Sequence, residues 1–427
     1  MKIAIYNHGI AFDSTTPFNQ PLGGSESSIV FMAAELSRCG HHVTVYCNLP
    51  SPAASRHPVP KTEGPAYKHY HEFFNEYLSM PWDAVISFRS FDPFLLGRIA
   101  PRMIFWCGDA FDQPALKNFE HRSLQENIDL IFCVSEWHRQ TFITAFQLPP
   151  DKVVATRNGF NPVLVRDGGV REWARGAYSS TPFRGLDILL KIFPEIRHRH
   201  LNASLDLFSS MKVYGWSSDK DRRAFGSLYE SANQPGVTWH GSVSQPVLLE
   251  HLAKTGLFLY TNTFDETSCM AAIEAQASGC VVVTSAKAAL NETIEHGQSG
   301  ICIKGDPKSE QYQREFISTV CSFLENPGRM EEFSRQARER AFRKYTWSSI
   351  AWEWTAILKN MPVAQVHARW SGPLSLLQKT QTYLQNGNVN AATRVLTALD
   401  ATPFFRNEVE VLTQSANALA CSLKKGS

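Results

Sequence analysis

The chain has 427 residues, of which 43% are hydrophobic and 19% charged, and a net charge of +2. It is too long for one ordinary core, so two or three domains are expected, and the near-neutral balance gives no reason to expect nucleic acid as the main partner. No apolar stretch reaches the roughly 18 to 20 residues that span a bilayer, and nine cysteines without a C-x-x-C or Cys/His cluster argue against a zinc site or a disulfide framework.

MKIAIYNHGI at the start has no charged segment ahead of a long apolar core, so it does not read as a signal peptide, and a cytoplasmic protein is expected. Segments 2–7, 42–48, 83–88, 102–107, 130–135 and 153–158 are strand-sized. Their apolar runs are nearly continuous, which predicts parallel strands covered on both faces. Between the first two, GGSESSIVFMAAELSRCG puts Ile29, Met32, Ala33 and Leu36 at helical spacing, with Gly40 as a stop. Strand, helix, strand repeated in this way predicts a doubly wound α/β domain. Residues 161–176, polar and glycine-bearing, read as a linker.

The second half repeats the pattern. Segments 205–208, 237–241, 257–262 and 280–285 read as strands, and 246–256 and 269–279 as helices closed by glycine. Residues 327–360 form a helical tail. Residues 374–425 predict two or three amphipathic helices separated by NGN and ATPF. The plain reading of these is a small helical cap on the main body, and the sharper one is a partner-docking module.

The stretch TNTFDETSCMAAIEAQASGCVVVTS, residues 261–285, carries the chemistry. It reads as the end of a strand, a loop, a helix and a second strand. In parallel sheets ligands gather at the carboxyl ends of strands, and helix N-termini attract anions through free N–H groups and the helix dipole. The amides near Ser268, Cys269 and Met270 would therefore hold a diphosphate without a metal. Glu266 in the loop is placed to accept hydrogen bonds from sugar hydroxyls. Glu274, one to two turns into the helix, suits both hydroxyls of a ribose. Ala271, Ala272, Ala275, Ala277 and Gly279 keep the helix slim. Two acids at this spacing alone would equally fit a surface helix, and their strength as a signal comes from the apolar strands on either side.

This segment closely resembles the E-x7-E signature of glycosyltransferase family 4, the retaining, glycogen-synthase-like group 1 enzymes of GT-B fold. GGSESSIVFMAAELSRCGHHVTVY resembles the family's glycine loop and first helix. CVSEWHRQTFITAF and VVATRNGFNP resemble its interdomain segments, and SSTPFRGLDILL its phosphate-clamping stretch. VTWHGSVSQPVLLEHLAKTGLFLY and NETIEHGQSGICI flank the signature. The likeness runs in order through residues 1–360. It implies an α/β protein with two facing Rossmann-like domains of parallel strands. These would be an acceptor domain at 1–165 and a donor domain at 166–345, followed by a crossover helix at 346–362 and a helical extension at 363–427.

The resemblance also implies roles. Gly23 and Gly24 would face the donor diphosphate. Arg184 matches the second of two usual phosphate-binding cations. The first falls near Tyr178 to Ser180, where this chain has none, so Lys212 or serine hydroxyls would stand in. Glu266 would contact the transferred sugar, Glu274 the ribose, and the segment around Val243 the nucleobase. Ser268, Cys269 and Met270 would offer backbone donors. Gly108 stands where many relatives carry histidine, while the adjacent Asp109 is retained and is counted with Glu266 and Arg184 as catalytic. His138 is expected on a helix surface or between domains. The implied donor is a nucleoside-diphosphate sugar, most simply UDP-linked, with no cofactor and no metal. The acceptor (a glycan, a lipid-linked molecule, a protein or a small molecule) would meet loops 7–22 and 50–74, and the C-terminal helices could meet a membrane surface or a protein. Two other readings fit the same body: a non-catalytic scaffold, and a nucleotide-sugar epimerase or phosphorylase.

Overall fold

Short apolar runs between turn residues set the architecture. The computed structural model describes residues 1–50, 64–77, 80–117, 119, 125–166, 168–368, 380–400 and 406–425. Residues 51–63 of the 50–74 loop, and 369–379, 401–405 and 426–427 of the C-terminal extension, lie outside the described residues.

Strands β1 (Lys2–Tyr6), β2 (His42–Cys47), β3 (Ala66–His69), β4 (Ala84–Phe88), β5 (Met103–Cys107), β6 (Leu130–Cys133) and β7 (Val153–Ala155) form one parallel sheet. Its spatial order is β3-β2-β1-β4-β5-β6-β7. Strands β8 (Glu172–Ser179), β9 (Ser204–Phe208), β10 (Val237–Trp239), β11 (Thr255–Tyr260), β12 (Val281–Ser285) and β13 (Gly300–Ile303) form a second, in the order β10-β9-β8-β11-β12-β13. Each sheet reverses its winding beside its first strand, which leaves a crevice at the carboxyl edge. Every residue of β4, β5 and β12 is buried, as continuous apolar strands under helices on both faces require.

One expectation is corrected. Residues 172–176, read as linker, open β8, which lies between β9 and β11 inside the second sheet. The first half of the strand is only partly covered, so its sequence EWAR tolerates the charged Glu172 and Arg175 beside Trp173 and Ala174. Gly176, which resembled a loop residue, is there for packing: a Cβ would lie 3.0 Å from the Leu259 side chain.

Helices α1 (Gly24–Arg38) and α2 (Glu136–Phe146) flank the first sheet. Helices α3 (Leu186–Arg199), α4 (Gln245–Lys254), α5 (Met270–Ala277) and α6 (Pro327–Lys344) belong with the second. The chain then returns. Phe160 bridges Thr346 across the passage, with Phe160 N donating to Tyr345 O at 2.8 Å and Trp347 N donating to Phe160 O at 3.2 Å. Helix α7 (Trp347–Asn360) buries Trp347, Ile350, Ala351, Trp354 and Leu358 in the core of the first sheet. The Trp354 ring stands edge-on to Trp106 at 4.8 Å and to Phe132 at 4.7 Å.

Among the further contacts between the two lobes, two are hydrogen bonds close to the cleft. Thr267 donates its hydroxyl to the Gly108 carbonyl at 2.6 Å. The Glu292 carboxylate accepts the first-turn amides of α2, from Glu136 at 2.9 Å and from Trp137. An anion at a helix N-terminus is favoured by the dipole, so this contact holds the lobes together across the cleft. Farther on, His367–Ala368 pairs antiparallel with Gly97–Arg98. Helices α8 (Val389–Asp400) and α9 (Arg406–Lys425) share a small core of Leu396, Val409 and Ala416. No helix among the described residues is long and apolar enough to cross a membrane.

Because α7 supplies a buried aromatic to a core formed by another part of the chain, Trp354→Ala is expected to lower the unfolding free energy by about 3–5 kcal/mol. Urea denaturation measures this, and a loss below 1 kcal/mol would contradict the packing described.

Candidate functional site

A cavity of about 720 Å³ opens where the carboxyl ends of the two sheets face one another. Its walls come from the segments that follow β1, β4 and β5 on one side and β8, β9 and β11 on the other. A smaller cavity of about 160 Å³ adjoins it and shares Phe208, Ser179 and Met270.

On the second lobe, β11 ends against the turn before α3. Gly185 has φ 97°, and a Cβ there would sit 1.9 Å from the Thr261 carbonyl oxygen, so only glycine fits. The Thr261 hydroxyl donates to the Gly185 carbonyl at 2.7 Å. This close approach brings Arg184 over the Phe264 ring at 4.4 Å and beside Glu266. Arg184 Nη1 lies 2.8 Å from Glu266 Oε1, and Nη2 donates to the Tyr214 hydroxyl at 3.2 Å. The Tyr260 hydroxyl donates to the same Glu266 oxygen at 2.5 Å. Burial works against the Arg184 charge, but Glu266, Tyr214 and Tyr260 outweigh it and raise its pKa. The resemblance implied a phosphate-binding role for Arg184, and in the fold its partner is Glu266.

Helix α5 follows with Cys269 as its N-cap, and Ser268, Cys269 and Met270 all line the large cavity. Ala272, Ala275 and Ala277 are fully buried, which lets the helix lie close to the sheet. Glu274 lines the smaller cavity instead, with Val243, Gln245 and Phe208. The Gln245 amide donates to Glu274 Oε1. Burial pushes the Glu274 carboxyl up to about 7, against the pull of that hydrogen bond.

On the first lobe, Gly23 caps α1 at φ −62°, which any residue can adopt. Space is what demands glycine: a Cβ on Gly23 would meet the Val213 carbonyl at 3.1 Å, and one on Gly24 the Met270 sulfur at 3.1 Å. Asp109 is paired with Arg89, Nε to Oδ2 at 2.5 Å. Arg89 adopts φ 59° and also donates to the Ser25 hydroxyl at 3.3 Å. Burial raises the Asp109 pKa, and Arg89 opposes it. Gly108 has room for a side chain, since a Cβ would meet only the Phe88 ring, at 3.7 Å.

Two expectations fail here. His138 is fully buried rather than on a helix surface. Its Nδ1 accepts the Val134 amide at 3.2 Å, so the proton is on Nε2, which donates to the Asp109 carbonyl at 2.7 Å. Burial lowers its pKa to about 4, and it serves to fix the Asp109 backbone. Lys212 is exposed and lines neither cavity, while Ser179, Ser180, Ser210, Ser242 and Ser268 line the large one. Tyr178, near the missing cation, is buried in the core. Sequence reasoning also missed Arg89, Tyr214, Tyr260 and Gln245. The available signal was position: Arg89 directly follows β4, and Tyr260 is the last residue of β11.

Residues 174–326 match the family described as Glycosyl transferases group 1. Over those residues the chain is similar to a group 1 glycosyltransferase domain. It is 26% identical over 271 residues to an uncharacterized glycosyltransferase of Methanocaldococcus jannaschii, covering 59% of this chain and 66% of that protein. It is 24% identical over 184 residues to the lipopolysaccharide 1,2-N-acetylglucosaminetransferase of Salmonella typhimurium, covering 42% of this chain and 46% of that one. In structure it resembles the HepE protein of Anabaena, solved with UDP-glucose, at a TM-score of 0.64 and 14% identity over 84% of this chain and all of the other. The two facing parallel sheets are a GT-B fold, as the sequence predicted. The glycosyltransferase domain as matched contains Arg184, Glu266 and Glu274, while Asp109 and Arg89 come from the opposite lobe.

Glu274 gives a pH signature. Its folded pKa of about 7 stands above the ordinary 4.5, so the fold holds this proton more tightly than the unfolded chain does. The stabilisation is complete below about pH 4.5 and is lost as pH rises to about 7. The stability of the native chain relative to Glu274→Gln, followed by urea unfolding, is expected to fall across that window. A difference that does not change with pH would contradict the burial of this carboxyl.

Proposed function

We propose that the protein is a retaining, metal-independent glycosyltransferase of family 4. It moves a hexosyl or related group from a UDP-sugar to an acceptor bound by the first lobe. The observation that supports this most is the convergence, on one interlobe cavity, of the α5 amides, the buried Arg184–Glu266 pair and Asp109. In this reading residues 1–165 are the acceptor domain and 166–345 the donor domain. Residues 346–362 are the crossover helix, and 363–427 an extension that meets a protein or membrane. All nine cysteines are free, which suits a reducing cytoplasm and a role in carbohydrate assembly.

The diphosphate would lie on the amides of Ser268, Cys269 and Met270, with serine hydroxyls around it. Both cavity arginines are already paired with acids, so oriented dipoles supply most of the stabilisation of the leaving group. Glu274 would take the ribose hydroxyls, with the base between Val243 and Phe208. The bond from the anomeric carbon to the phosphate oxygen breaks, and its electron pair goes to the departing oxygen. On the same sugar face the acceptor's hydroxyl oxygen forms the new bond to the anomeric carbon and gives its proton to that departing oxygen, so no separate strong base is needed. The second oxygen of Glu266 would accept a hydroxyl of the transferred sugar. Its negative charge also favours the cationic sugar of the transition state. The Glu292 contact to α2 keeps the lobes closed and excludes water, which would hydrolyse the donor.

Removing one such preorganised group costs about 2.7–4 kcal/mol of barrier, or roughly a hundred- to thousand-fold in turnover. Glu266→Gln and Arg184→Ala are each expected to slow UDP release from UDP-sugars by that factor while the protein stays folded. A thermal-shift panel of UDP-, GDP-, ADP- and dTDP-sugars should show the largest rise with a UDP-sugar. Unchanged turnover in both variants, or no shift with any nucleotide sugar, would overturn this function.

A further inference from the structure

Behind the nucleotide-side wall, three side chains from distant parts of the chain converge. Asp206 lies on β9 and is 6% exposed. His240 follows β10, and His251 projects from α4. Asp206 Oδ1 is 2.8 Å from His240 Nε2, and the two histidine rings are 4.9 Å apart. One ligand atom from each of the three lies within 4.8 Å of the others. We propose that Asp206, His240 and His251 bind one divalent transition-metal ion of the zinc type, at a structural site separate from sugar transfer.

Two imidazoles and a carboxylate are the donor set that zinc and its neighbours prefer. Bonds of about 2.0–2.2 Å would place the ligand atoms about 3.3 Å apart, so the Asp206–His240 pair, now at 2.8 Å, opens by about 0.5 Å while His251, within 4.8 Å, closes by up to about 1.5 Å. The surroundings already orient the ligands, as the partners of metal-binding residues do. Arg175 Nε holds Asp206 Oδ2 at 2.5 Å and leaves Oδ1 facing His240. The His240 ring lies flat on Phe208, 4.8 Å away with 9° between the planes, and Phe208 also meets His251 at 5.1 Å.

The nearby arginine does not exclude a cation. Arg175 is shared with Glu172, Nη1 to Oε1 at 3.0 Å, so one positive group stands between two carboxylates. A simple Asp–His–Arg hydrogen-bonded network would account for His240. It leaves the His251 ring, turned to the same point from another element, without a purpose.

None of the three ligands lines either cavity. Phe208 stands between them and the nucleotide side, so the ion would brace rather than react. It would tie β9 and the exit of β10 to α4, whose first residue, Gln245, holds Glu274.

The test uses the full chain, stripped with EDTA and dialysed. Zinc chloride titrated by calorimetry should bind with one ion per chain and raise the melting temperature. Cobalt(II) should give the visible absorption of a low-coordinate site with nitrogen and oxygen ligands. His251→Ala is expected to melt like the native chain in EDTA, to lose the zinc-induced rise, and to bind zinc more than about tenfold more weakly. His240→Ala should behave similarly. No stoichiometric zinc binding and no cobalt spectrum in the native chain would overturn the site, as would full zinc affinity in folded His251→Ala. None of these readouts involves UDP or a sugar, so they stand or fall independently of the proposed transfer.

Discussion

The buried pair between Arg184 and Glu266 is the interaction on which the second half of the site depends. A charged carboxylate with 5% exposure is expensive unless hydrogen-bonded and paired. Here Arg184 and Tyr260 meet the same oxygen, and Arg184 is itself braced by the Phe264 ring and Tyr214. The pairing requires the loop after β11 to lie against the turn before α3, which only glycine at 185 permits. That in turn places the start of α5 so that Ser268, Cys269 and Met270 line the cavity.

The opposite lobe uses the same logic. Asp109 is paired with Arg89, whose left-handed backbone carries strain that the surrounding contacts must hold in place. His138 fixes the Asp109 carbonyl from within. The cavity thus has an ion pair on each face and a neutral sum over the two. An entering diphosphate would meet oriented amides and hydroxyls more than free cations. This fits the absence of the first cation from the segment around Tyr178, and it gives electrostatic preorganisation the main role.

Much of the fold was legible because strands covered on both faces are read from continuous apolar runs, as in MIFWC and VVVTS. The candidate donor site was legible because strand, loop and small-residue helix are contiguous between 255 and 277. What the sequence concealed depends on distant contacts. Strand β8 looked like linker because its partly covered first half carries Glu172 and Arg175, and Gly176 serves packing. Arg184 carried no sign of its partner 82 residues away. His138 looked like a surface histidine because its partner, the Asp109 carbonyl, lies 29 residues earlier in the chain. The Asp206–His240–His251 cluster has no local spacing that would mark it, since three separate elements must fold before the ligands meet.

The central claim is that the amides opening α5 hold a pyrophosphate. A crystal structure of the protein soaked with UDP-glucose tests it most directly. Diphosphate oxygens are expected at about 2.7–3.2 Å from backbone nitrogens among residues 268–271, with the ribose on Glu274. A diphosphate bound elsewhere in the cleft, with those nitrogens facing only water, would contradict it.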